Sequence, residues 1–348
     1  MKKINTRAMG LFAALAASAL MLSGCSGGGA GGGNANGGNA APVDDPELQS
    51  LIEAAQEEGT LTLYGIVDER VLRAVADRFT ETYGVDVTVL RLVSADLSQR
   101  FAAEANAGAV QADTIMLTYS PFYAEALGEG WLTPVTEADV PGFPADYPAD
   151  FVEEDGTPII SMVPTELVYN TEVLETAPDS WEVYADPAFA GELLFAEPGT
   201  SPANLSFWSL MIDEYGPEFL EGIAANDPTW MNSAVNTTQG VAAGEGSLSH
   251  PGVFAIVDTL QAQGAPVEAV RLGPTTGPEI GLGISSDAPH PNAARLFAHY
   301  LLSEDGSAFL AEESGASSPW GTNLVDGYVR PAPVPDDRRA EINELLGL

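Results

Sequence analysis

The chain has 348 residues, 50 of them acidic against 13 basic, for a net charge of −37, and a single cysteine. So acidic a surface repels nucleic acid and anionic lipid, which excludes both as partners of the folded body. One cysteine excludes an intramolecular disulfide, and the roughly 300 residues beyond the leader are enough to bury the cores of two domains.

Met1 to Cys25 reads as an address. Lys2, Lys3 and Arg7 precede an apolar run from Leu11 to Leu22, and Leu22-Ser23-Gly24-Cys25 places small residues before the cysteine. That run is too short to span a hydrocarbon layer of roughly 30 Å. Leu-Ser-Gly-Cys resembles the lipobox of bacterial lipoproteins, whose cysteine is acylated and becomes the first residue after cleavage; an ordinary secretory signal with an incidental cysteine is the alternative. Residues 26–47, rich in glycine, asparagine and alanine up to Ala41, read as a flexible tether. Removing Lys2, Lys3 and Arg7 takes the basic count from 13 to 10, all arginine, against 50 acidic, a net of −40.

From Thr60 to Tyr119 the pattern is strand, helix, strand, helix, strand. Thr60 to Ile66 alternates, Val71, Leu72, Val75, Ala76 and Phe79 form one helical face, and Gly84 ends that helix. Val85 to Val93 is β-branched and apolar, Ser94 is placed to cap a second helix that ends by Gly108, and Ala112 to Leu117 is the third strand. Alternation of this kind implies parallel pairing with right-handed crossovers, an α/β layer structure. Ligands of such sheets lie beyond the carboxyl ends of the strands, which nominates Val67, Asp68, Ser94, Ala95, Asp96, Thr118, Tyr119 and Ser120.

In the second half, a strand at Leu193 to Phe195 delivers Gly199, Thr200 and Ser201 to the start of a helix, where unpaired N–H groups attract oxyanions. Whether those hydroxyls only cap the helix or also touch a ligand is open. Asn236 and Thr237 open a helix running to Gly244, and a strand from Gly246 carries Ser249 and His250 toward the cleft, where His250 reads equally as a ligand contact or as a buried, hydrogen-bonded residue. A strand broken at Pro164 marks the first crossing between domains, and Gly281 to Ser286 is the return strand. His290 and His299 read as structural. No Gly-x-Ser-x-Gly, Walker loop, His-Glu-x-x-His or acidic calcium loop is present, so no enzyme activity is expected.

Gly59-Thr-Leu-Thr-Leu-Tyr, Phe79-Thr-Glu-Thr-Tyr-Gly-Val85, Gln111-Ala-Asp-Thr-Ile, Val168-Tyr-Asn170, Gly191-Glu-Leu-Leu-Phe-Ala-Glu-Pro198, Ala243-Gly-Glu245 and Ala288-Pro-His-Pro-Asn-Ala-Ala-Arg-Leu-Phe297 resemble the solute-binding proteins of ATP-driven importers. The nearest branch is the one named for ferric iron, which also holds receptors for thiamine, polyamines and phosphonates. The resemblance implies a periplasmic-binding-protein type II fold, with two lobes that are each a mostly parallel sheet flanked by helices, joined by hinge strands and closing on cargo. It divides the body into lobe 1 at 48–160 plus 285–335, lobe 2 at 161–284, and a C-terminal helix at 336–348. It also implies a small-molecule cargo, no cofactor and no resident metal. The expected partners are an ABC permease with its ATPase, and the membrane only through the lipid anchor, for an exported monomer held at the outer face of the cell membrane.

Iron-binding members carry an adjacent tyrosine pair shortly after the Gly-Glu that here is Gly244-Glu245, and Phe254-Ala255 stands in that place. Tyr64, Tyr119 and Tyr123 could supply phenolates from the other lobe, so a ferric-iron or iron-chelate cargo is one alternative. The hydroxyl and amide loops fit an organic molecule or oxyanion, and Asp68 and Asp96, which read equally as partners of their helix dipoles, would suit an amine; a small zwitterion reconciles the two. A lipoprotein presenting its ligand to a sensor kinase uses the same fold and is a further alternative.

Overall fold

The computed structural model describes residues 45–348, so Cys25, expected to carry the lipid, and most of the expected tether lie outside the described residues. Asp45 accepts from the Glu47 and Leu48 N–H groups to start α1 (Pro46–Glu58), which Gly59 ends in the left-handed region. β1 (Thr60–Gly65), α2 (Glu69–Tyr83), β2 (Asp86–Arg91), α3 (Ser94–Asn106) and β3 (Thr114–Thr118) follow. The inward stripe of α2, Val71, Leu72, Val75, Ala76 and Phe79, is buried as its spacing predicts. α4 (Pro121–Gly128), β4 (Leu132–Thr133) and β5 (Ile159–Met162) complete this stretch.

β1 lies between β2 and β3, parallel to both. β11 (Glu279–Ser285) runs antiparallel beside β3 and carries β4 and β5 on its far side. The second sheet has the order β10 (Val267–Val270), β6 (Glu166–Asn170), β9 (Leu248–Gly252), β7 (Leu193–Ala196), β8 (Thr229–Met231). β7 is parallel to β8 and β9, whereas β6 and β10 are antiparallel. Its helices are α5 (Pro202–Tyr215), α6 (Pro217–Ala225), α7 (Ala234–Ala243) and α8 (Phe254–Ala262). α9 (Pro291–Leu302) and α10 (Glu304–Ser314) return to the first sheet, and α11 (Asp336–Leu346) ends the chain.

Each sheet has its own core. Phe79, Phe297 and Leu282 are buried with α1, α2 and α9 in the first; Trp181, Phe195, Phe207 and Trp208 are buried in the second. Burial of such side chains contributes about 1.5–3 kcal/mol each. The two cores make the two-lobed fold.

The chain leaves the first sheet after Met162 and enters the second at Glu166. It returns between Val270 and Glu279, a little earlier than a return strand starting at Gly281 would place it. Close backbone approach at the two crossings needs Gly277, where a Cβ would overlap the Val163 carbonyl oxygen. Residues beyond α10 touch the crossings again: Ser317 bridges Met162, and Tyr328 bridges Thr275. The C-terminal helix is not a separate segment, because Ile342 and Leu346 of α11 are buried in the second core.

Candidate functional site

A cavity of about 260 Å³ opens where the carboxyl ends of strands from both sheets converge. Val67 and Asp68 after β1 and Thr118 at the end of β3 form one wall; Val253, Phe254, Ala255 and Asp258 at the start of α8 form the other. Glu313, Ser314 and Ala316 border it from the end of α10, and Ser161, Val163 and Pro278 from the two crossings. This is where a ligand of an open α/β sheet is expected.

The two walls differ in charge. Asp68 caps α2, its carboxylate accepting from the Arg70 N–H at 2.9 Å, and it is otherwise exposed to the cavity mouth. Arg70 is neutralised by Glu313 at 2.9 Å, which leaves Asp68 as the charge of this wall; on the other wall Asp258 lies one turn into α8, past its N-terminus. α8 instead has no side-chain cap. The Ile256 and Val257 N–H groups bond to the Val253 carbonyl, which leaves those of Phe254 and Ala255 as the open, electropositive end.

Of the nominated residues, Val67, Asp68 and Thr118 line this cavity. Ser94 stands behind it, donating to Thr118 Oγ1 at 3.1 Å; it is the first helical residue, Val93 taking the N-cap place. Ala95 and Asp96 are exposed in the first turn of α3 and do not border the cavity. Tyr119 turns away, its ring 5.7 Å from that of Tyr123 and its hydroxyl donating to Asp155 at 3.3 Å. Ser120 precedes α4 without a side-chain capping bond.

The second-lobe nominees fall elsewhere. Thr200 donates to the Glu197 carbonyl at 2.8 Å, and Ser201 Oγ accepts from the Asn204 N–H at 3.1 Å, while Gly199 sits between them and the strand; these are the bonds of a helix cap. Alanine at both positions is expected to cost about 1 kcal/mol of stability and leave cargo affinity unchanged, read by thermal unfolding and calorimetry on one preparation. α7 starts at Ala234 with Ser233 as its cap, earlier than its polar residues imply. Thr237 is therefore buried inside the first turns, donating to the Ala234 carbonyl. Asn236 borders a separate, more open groove of about 680 Å³ with Glu197, Asn232, Gln239 and Glu245. Of these two depressions, the cavity is the one walled by both sheets.

Ser249 and His250 are not at the cleft. Both are fully buried in β9, and neither the Ser249 hydroxyl nor the His250 ring nitrogens have a partner among the described residues. The imidazole stacks 3.7 Å from Phe207, with Trp181 and Trp208 edge-on, and burial holds its pKa well below the usual histidine value. Every residue of β9 is buried, so its side chains turn into cores on both faces. His290 and His299 are structural: their Nδ1 atoms lie 3.0 Å from Asp113 and 2.9 Å from the Pro141 carbonyl.

The tyrosines nominated as phenolate donors are committed too. Tyr64 donates to Glu104 at 2.9 Å and Tyr123 to the Gly281 carbonyl at 2.6 Å. Burial pushes the pKa of Tyr64, Tyr119 and Tyr123 upward, against the ionised form that ferric iron requires.

The family model for bacterial extracellular solute-binding proteins matches residues 66–308. Among solved structures, iron-bound HitA from Pseudomonas aeruginosa is similar at 20% identity over 83% of this chain and 97% of its own, with a TM-score of 0.58. The substrate-binding protein of an ABC transporter from Agrobacterium tumefaciens aligns at 16% identity over 82% and 94%, TM-score 0.62. The periplasmic binding protein AfuA from Actinobacillus pleuropneumoniae, with fructose-6-phosphate bound, aligns at 20% over 83% and 98%, TM-score 0.53. Identities this low speak for a shared fold alone.

Proposed function

This chain belongs to the bacterial extracellular solute-binding proteins, and from that premise we propose that it captures a small organic amine or zwitterion between its lobes and delivers it to an importer's permease. The family is one of binding proteins for transport. The observation that carries the cargo reading is the opposed charge across the cavity, with Asp68 on the first-lobe wall facing the uncapped α8 terminus and the Phe254 ring on the other. An ammonium group is favoured at a carboxylate and over an aromatic face, and a carboxylate or other oxyanion at the open N–H groups. The volume of about 260 Å³ falls just below the roughly 300–1,000 Å³ of pockets for drug-sized ligands, which fits a small solute.

Neighbours that hold cargoes as different as iron and fructose-6-phosphate leave the chemistry to the site. An iron chelate, which brings most of its own donors, is the second reading, favoured by the hard oxygens of Asp68 and Asp258 on the cavity; among the described residues no three such groups converge to hold a bare ion. Calorimetry with amines, zwitterions and ferric citrate separates the two. Asp68→Asn is the informative variant, since asparagine caps a helix as well as aspartate does but carries no charge. Affinity for the aminated ligand should fall at least about tenfold, as expected for a lost hydrogen bond to a charged group, with the melting temperature unchanged. Equal binding in both proteins would count against the reading.

We place the body outside the cell, tethered by an acylated Cys25. Cys25→Ser should move the protein from the membrane fraction to the medium; continued retention on the membrane rejects the anchor.

A further inference from the structure

Gly315 joins three parts of the molecule. It ends α10 in the left-handed region, at φ 66°, on the first-lobe side of the cavity. The Phe254 ring, from the second lobe, lies so close over it that a Cβ at 315 would overlap the ring carbons. The Gly315 carbonyl accepts from Arg271 Nη2, and the same guanidinium donates through Nε to Glu166 at 2.7 Å. Arg271 follows β10 on one crossing, and Glu166 opens β6 at the other. The Glu166 side chain is only 5% exposed, burial lifts its carboxyl pKa against the pull of Arg271, and its second oxygen has no partner among the described residues.

We infer that Phe254, Gly315 and Arg271 form an interlobe latch that holds the cavity walls together and sets how readily they part. Separation of the lobes would strip the ring from the glycine and the guanidinium from a helix-terminal carbonyl, where a cation is favoured. Arginine suits this place because its rigid planar fork sets Nε on Glu166 and Nη2 on the Gly315 carbonyl at fixed spacing, which a compact ammonium does not span in the same geometry. A residue larger than glycine at 315 would wedge the contact open. The latch rests on the two-lobe reading above and shares the Phe254 ring with the proposed solute site, while Gly315 and Arg271 lie outside the cavity lining.

Hydrogen exchange of the solute-free full chain tests it, comparing wild type with Arg271→Lys and Phe254→Ala. Lysine keeps a cation beside Glu166, so the fold is preserved while the tie to Gly315 is lost. In both variants, exchange at 66–71 and 253–259 should rise about fivefold, the scale of one lost interaction, with the strands of both sheets exchanging at wild-type rates. Unchanged exchange at the walls overturns the latch. So does an equal rise in the strands, which would make the cluster a general stabiliser. Because no solute is added, a failed cargo titration would bear on the proposed function and leave this result standing.

Discussion

Replacement of Arg330 by methionine is expected to lower the unfolding free energy by about 3 kcal/mol and the melting temperature by roughly 6 °C. Its guanidinium meets Glu279 through Nη2 at 2.5 Å and through Nε at 2.9 and 3.1 Å, reaches Glu153, and donates to the Asp150 carbonyl at 2.7 Å. The Glu279 side chain is 4% exposed and opens β11 at the second crossing, so removal of the arginine strands a buried carboxylate where the lobes join. An exposed pair provides the contrast. Arg73 and Glu69 keep 64% and 59% of their side chains in water, and Arg73→Met should cost under about 0.5 kcal/mol. The mechanism is checked by adding Glu279→Gln to Arg330→Met. Recovery of more than half the loss is expected, since the uncompensated charge is gone; no recovery would place the cost in lost packing over Phe151.

Acidification should destabilise the second lobe through His250. The folded state keeps this imidazole neutral, with its pKa well below 6.5, whereas the unfolded chain protonates it near 6.5. Above that pH both states carry a neutral ring and the term is absent. Below it the unfolded state binds the extra proton, so stability falls with pH by up to about 1.4 kcal/mol per unit, a loss of roughly 2 kcal/mol by pH 5. His250→Phe retains a ring to stack on Phe207 and has no proton to bind. Denaturant unfolding at pH 7.5 and pH 5 in both proteins isolates the effect, because every other titrating group is shared. The substituted protein should lose about 2 kcal/mol less on acidification; an identical loss in both would mean that His250 is not held neutral.

The first lobe is legible because local pattern and final burial agree there. The α2 stripe is buried throughout, Gly84 takes the left-handed cap its position predicts, and Asp68 and Thr118 reach the cavity as strand-end residues should. The second lobe is less legible for a physical reason. β9 is buried on both faces, so alternation says nothing of which way His250 points, and its place near a strand end suggested a cleft that its ring never reaches. Thr200 and Ser201 show a different limit, since the hydroxyls that cap a helix are those that hold an oxyanion, and only the observed partners separate the roles. Phe254 and Ala255 drew attention as a pair without donor atoms, yet they form a cavity wall, since a backbone N–H and an aromatic face are recognition groups that side-chain chemistry does not announce. α11 offers two buried apolar residues, Ile342 and Leu346, too few for a sequence pattern to declare which core receives them.

A crystal structure of the protein purified with its native solute retained would decide most. The opposed-wall account predicts that solute in the cavity of about 260 Å³, touching Asp68 and Thr118 from one lobe and the Phe254 and Ala255 N–H groups from the other. A solute seated in the groove beside Asn236 and Gln239, with nothing between the lobes, would contradict it.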